Sequence, residues 1–170
     1  SLSRRRCAGW PRCSGRPPRV ADVDAIVAGL VDVEKRVTGV RQAFRYAPPG
    51  IISPLPAFLN LVGSGSVVTP RIGQGVREST VSIKAIALIQ YQADSADAER
   101  LIRPLIYDFV ETVDQWKTLG GVTDVLSADV TGWDDPGPYT VTGQDQPFLA
   151  VPFNVEVQVV EVGIAFGTTG

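Results

Sequence analysis

Apolar residues recur along this chain in two periods, and the switches between them mark out the elements. Val23, Ile26, Val27, Leu30, Val33 and Val37 are spaced by three and four, which places them on one face of a helix. Asp22 and Asp24 fall in its first turn and Lys35 and Arg36 in its last, as the helix dipole favours, and Gly39 is the expected stop. A short strand is predicted over 41–46. Pro48-Pro49-Gly50 and Ser53-Pro54-Leu55-Pro56 then forbid regular hydrogen bonding, so an extended loop is expected, with Ile51, Ile52 and Leu55 costly to leave in water.

Residues 57–62 read as a buried strand. From Gly63-Ser64-Gly65-Ser66 to Gly73-Gln74-Gly75 the composition predicts a glycine-rich, mobile hairpin. A long strand follows over 76–92. Val81, Ile83, Ala85, Ala87, Ile89 and Tyr91 alternate onto one face, and Ser82, Lys84 and Gln90 onto the other. Ile86 and Leu88 make the middle of that second face apolar too, so cover by a helix on one side and another subunit on the other is expected.

A second helix begins at Asp94 or Ser95, carries Asp97 and Glu99 in its first turn, and ends at Gly120-Gly121. Leu101, Ile102, Leu105, Ile106, Phe109, Val113 and Trp116 form its apolar stripe, and Pro104 predicts a bend. Strands over 122–130 and 149–162 complete the order, with turns at Asp134-Asp135-Pro136-Gly137-Pro138 and Gly143-Gln144-Asp145-Gln146-Pro147. In the last strand the alternation of Leu149, Val151, Phe153, Val155, Val157 and Val159 passes to Val160, Val162, Ile164 and Phe166. That slip of one residue predicts a bulge near Val159 or a tail packed elsewhere. The fold class is α+β: an antiparallel or mixed sheet with two helices on one face. The expected organisation is a basic extended arm (1–20), one domain (21–162) and a C-terminal tail (163–170).

Composition narrows the chemistry. Among 170 residues there is no histidine, which removes imidazole nucleophile systems, acid–base catalysts and metal ligands. Cys7 and Cys13 cannot complete a structural zinc site within one chain, and free thiols are expected. Neither glycine cluster is followed by Gly-Lys-Ser/Thr or opens a helix, so no phosphate loop is read. Asp134-Asp135 is a turn composition lacking calcium-loop spacing. Lys84, the one lysine within a strand, would serve as a base only if buried. No cofactor, metal site or enzymatic activity is expected, nor a membrane span, since no apolar run is long enough.

Charge is strongly segregated. Arg4, Arg5, Arg6, Arg12, Arg16 and Arg19 stand in the first twenty residues without an acid. The remaining ten basic residues face eighteen acids, a balance of −8. After Lys117 there is no base, but Asp124, Asp129, Asp134, Asp135, Asp145, Glu156 and Glu161 follow. A basic arm on an acidic body suits contact with a neighbour's acidic face or with nucleic acid. The apolar Pro-rich loop, the glycine hairpin (Gly63, Gly65, Gly73, Gly75) and the apolar tail (Ile164, Phe166) favour another chain as the partner.

The order of motifs resembles the tail terminator, tail-completion and head–tail joining proteins of long-tailed, non-contractile bacteriophages. The likeness rests on Asp24-Ala25-Ile26-Val27-Ala28-Gly29-Leu30, on Pro54-Leu55-Pro56-Ala57-Phe58 entering a strand, on Ala98-Glu99-Arg100-Leu101-Ile102-Arg103-Pro104-Leu105, and on Phe153-Asn154-Val155-Glu156-Val157. It covers 21–162. The resemblance implies a virion protein assembled in the host cytoplasm. It would form a ring, usually of six copies, between the tail tube protein and a head connector or neck adaptor, with genomic DNA passing through the lumen unbound. Arg4, Arg5, Arg6, Arg12, Ile51, Ile52, Leu55 and the glycine and tail residues above are then the expected interface. Asp124, Asp129, Asp134, Asp135 and Asp145 are the expected lumen-facing acids. The alternative is a nucleic-acid-binding or regulatory module that uses the arginine arm.

Overall fold

The computed structural model describes residues 22–68, 76–91, 95–145 and 147–162. Helix α1 spans Val23–Glu34, and Asp22 caps it by accepting from the Ala25 N–H at 3.2 Å. Strand β1 is Gln42–Phe44, β2 Ala57–Val68 and β3 Val76–Gln90. Helix α2 runs Ser95–Gln115 with Pro104 inside it, and β4 is Val125–Trp133, β5 Gly137–Tyr139 and β6 Phe148–Val162. The six strands form one mixed sheet in the order β1-β2-β3-β6-β4, with β5 also on β6. Among the described residues only β1 and β2 pair in parallel, and the other pairings are antiparallel. With two helices on one face, this is the α+β architecture the periodicities predict.

The main core lies between that face and the helices. Phe58 of β2, Phe109 of α2 and Phe153 of β6 are fully buried, with ring centroids 4.5–6.3 Å apart, and α1 adds Ile26, Leu30 and Val33. Gly29 lets α1 approach the turn after α2. A Cβ there would lie 2.5 Å from Val122 Cγ2 and 3.0 Å from the Leu119 Cβ and carbonyl oxygen. That turn uses positive φ at Leu119, Gly120, Gly121 and Asp124, which delays β4 to Val125 rather than residue 122.

A second, smaller core covers the other face. Leu59, Ile86, Leu88 and Phe148 pack there with Ile52 of the Pro-rich loop and Val141 of the loop before β6. Gln144 Nε2 donates to the Gly50 carbonyl at 2.6 Å and Gln42 Nε2 to that of Ser53 at 2.7 Å, which ties the two loops down. The apolar middle of β3 is therefore covered by the chain's own loops, where another subunit is expected from the alternation alone.

Three further expectations change. β6 itself carries no bulge, since it pairs with β3 without a register shift from Phe148 to Val162. The irregularity at Val159 is in the facing strand, where β4 sets Val125 opposite Val159 and Ser127 opposite Gln158, and the tail from 163 lies outside the described residues. The polarity slip arises because Glu161 keeps the helix-side position and is buried, with its Oε2 2.8 Å from Arg77 Nε. That N–H is not aimed at an acceptor, so the contact is ionic rather than a formed hydrogen bond. The irregularities lie instead in β4, between Val125 and Ser127 and between Val130 and Gly132, and in β2 between Val62 and Gly65. Gly63 and Gly65 belong to β2, which continues to Val68, while Gly73 and Gly75 lie outside the described residues. Finally, Gly137–Tyr139 forms β5 inside what reads as a turn.

Candidate functional site

The expected interface residues divide by place. Ile52 is buried in the second core and Leu55 half-buried against it, so the chain itself uses both. Ile51 stands out, 84% exposed, on the rim of an open cleft of about 610 Å³ lined also by Gln90, Gln144, Asp145 and Phe148. Arg4, Arg5, Arg6, Arg12, Ile164 and Phe166 lie outside the described residues. The exposed large apolar positions on the sheet fall in two strands: Leu61 (41%), Val62 (53%), Val67 (58%) and Val68 (60%) in the far half of β2, and Leu126 (56%) and Trp133 (52%) in β4. Sequence reasoning stops the β2 strand at residue 62 and so misses Val67 and Val68.

The five acids do not form one patch. Asp129 Oδ1 accepts from Lys117 Nζ at 3.1 Å, and that hydrogen bond, with one from Ser127, holds its carboxyl below the usual range. The same bond and the charge of Asp129 raise the Lys117 ammonium above its ordinary pKa. Asp134 lies 2.8 Å from Lys84 Nζ, whose hydrogen bond and charge lower its pKa. Asp124 sits in the left-handed turn and its carbonyl accepts from the Val160 N–H at 2.9 Å. Asp135 is exposed, and Asp145 lies at the cleft. Four of the five thus follow the β4 edge and its flanks, two of them paired with lysine. Lys84 itself is 44% exposed and paired, which removes the buried-base reading.

Among the described residues the one strongly displaced carboxyl is elsewhere. Glu34, at the end of α1, is fully buried, and burial pushes its pKa from 4.5 up to about 8. Its Oε2 accepts from Asn60 Nδ2 at 2.8 Å, and the same Nδ2 lies 3.1 Å from the Phe44 carbonyl. Glu34 Oε1 and Asn60 Oδ1 have no hydrogen-bond partner. This pair joins α1, β1 and β2 in a neutral polar knot closed off from solvent, which suits positioning of the elements rather than turnover of a substrate.

Among the described residues no three His, Cys, Asp or Glu side chains converge as metal ligands, and no helix is long and apolar enough to cross a membrane. No family model and no curated protein matches this chain. The reading of its surfaces therefore rests on its own chemistry. Across the sheet that chemistry is polarised. Residues 40–68, which carry β1 and β2, hold Arg41 and Arg45 and no acid, whereas residues 122–145, which carry β4 and β5, hold five aspartates and no base. β1 and β4 lie at opposite ends of the strand order.

Proposed function

We propose that this chain is a structural virion protein that forms a ring, of six copies, at the head-proximal end of a phage tail. There it stops polymerisation of the tail tube and joins the tail to the head connector. The observation that carries this reading is the opposite charge at the two ends of one sheet. A ring needs a heterologous contact, in which one patch fits a different patch on the next copy. Exposed Arg41 and Arg45 at the β1 end and the aspartates flanking β4 are such a pair. The α+β architecture and the motif order that resembles the terminators support the same reading, as does an exposed Ile51 suited to a flanking component.

Negative-stain imaging of the purified protein, alone and mixed with tail tubes, tests it. Rings capping tube ends are expected. Particles that ignore tube ends but bind DNA in a salt-dependent way through residues 1–20 would replace it with the nucleic-acid reading.

A further inference from the structure

The far half of β2 is an open sheet edge. β1 covers β2 only from Ala57 to Leu59, and among the described residues no strand lies on the outer side of 60–68. Long, uncharged apolar edges invite pairing with another strand, and proteins usually blunt them with lysine, proline or a covering loop. Residues 57–68 contain no charged residue and no proline.

The pattern on this edge is self-complementary. Its positions can be counted on the β3 ladder: Gly65 is opposite Val81, Val62 opposite Ile83 and Val67 opposite Ser79. Val62 and Val67 thus stand two rows to either side of Gly65 and, because of the bulge between Val62 and Gly65, on the same face. Leu61 opposite Lys84 and Val68 opposite Glu78 stand three rows to either side, together on the other face. All four are exposed. Without the bulge, Val62 and Val67 would point to opposite faces and no such symmetry would exist.

We propose that the open edge of β2 pairs antiparallel with the same edge of a second copy, across a two-fold axis at Gly65. Val62 then faces the second copy's Val67 on the helix side, and Leu61 faces its Val68 on the other. Eight exposed apolar side chains leave water in four cross-strand pairs, and the glycine places no side chain on the axis. An isologous contact asks each patch to fit itself, and this one does. The inference does not rest on the ring reading; where both hold, it joins two rings face to face.

The test uses the full chain with Cys7→Ser and Cys13→Ser as background and adds Val62→Cys or Val67→Cys, one per sample. Mild oxidation of the mixture should give a cross-linked dimer of one variant with the other. Each variant alone should give little, since 62 and its own copy lie four rows apart. By native mass spectrometry, Val67→Lys should halve the particle mass, from dimer to monomer or from double to single ring, with unchanged circular dichroism. Absence of the mixed cross-link, with a mass that ignores Val67→Lys, overturns the proposal and leaves the edge to another part of the chain or another partner. Equal cross-linking of each variant alone overturns the two-fold register.

Discussion

The two parts of β2 share one strand and both carry large apolar side chains, yet they meet opposite fates. Residues 57–60 are all buried, between the two helices on one face and the Pro-rich loop on the other, whereas residues 61–68 are all exposed. Strand propensity is therefore not what decides burial; the elements laid over the strand decide it. The near half is completed within the chain. The far half presents apolar groups and unpaired backbone as an assembly surface would.

Substitutions should separate the halves. The largest effect is expected at the triple aromatic contact: Phe109→Ala should cost about 3–5 kcal/mol in urea unfolding, since the cavity left between Phe58 and Phe153 has little room to collapse. A loss under about 1 kcal/mol would mean that the near half is not a tightly packed core. Next, Gly29→Ala should cost about 1–3 kcal/mol by overpacking against Val122 and Leu119, against the helix-propensity gain of about 1 kcal/mol. A stabilised variant would show that α1 does not sit this close to the turn.

Glu34 adds a pH signature to the near half. Because its folded pKa is raised, the native state holds a proton that the unfolded chain gives up. Its contribution is full below about 4.5, declines as pH rises, and is lost by about 8. Glu34→Gln keeps an acceptor toward Asn60 and removes the ionisation, so it should flatten that decline and be the more stable form at pH 8 by about 1–3 kcal/mol. Parallel stability–pH curves for the two proteins would contradict a buried, neutral Glu34. The smallest effect on folding belongs to the far half: Val62→Lys should change stability by no more than about 0.5 kcal/mol while changing the particle's mass.

Much of the near half is legible in the sequence. The helical spacing of Ile26, Leu30 and Val33 and the alternation of β3 and β6 place the main core, because period and face are local properties. Glu34 is legible in part, since its spacing from Leu30 and Ile26 puts it on the buried stripe, but its partner Asn60 is twenty-six residues away. The stripe on α2 is drawn too wide: Leu101 is half exposed, and Trp116 lies at the surface with the Arg36 guanidinium 4.0 Å from its ring centre. Tyr91 also ends in solvent. Charged residues mislead in β6, where Glu161 reads as outward yet pairs with Arg77 inside. The open edge, its bulge and the separation of the five aspartates are products of strand order and register, which no local pattern carries.

The most direct test of the central idea, that the outward apolar groups are assembly surfaces, is sedimentation of the full chain over a hundredfold range of concentration. The account predicts species well above the 18.2 kDa of one copy, shifting to smaller ones on dilution and in the Val67→Lys variant. A single 18.2 kDa species at every concentration, unchanged by that substitution, would contradict it.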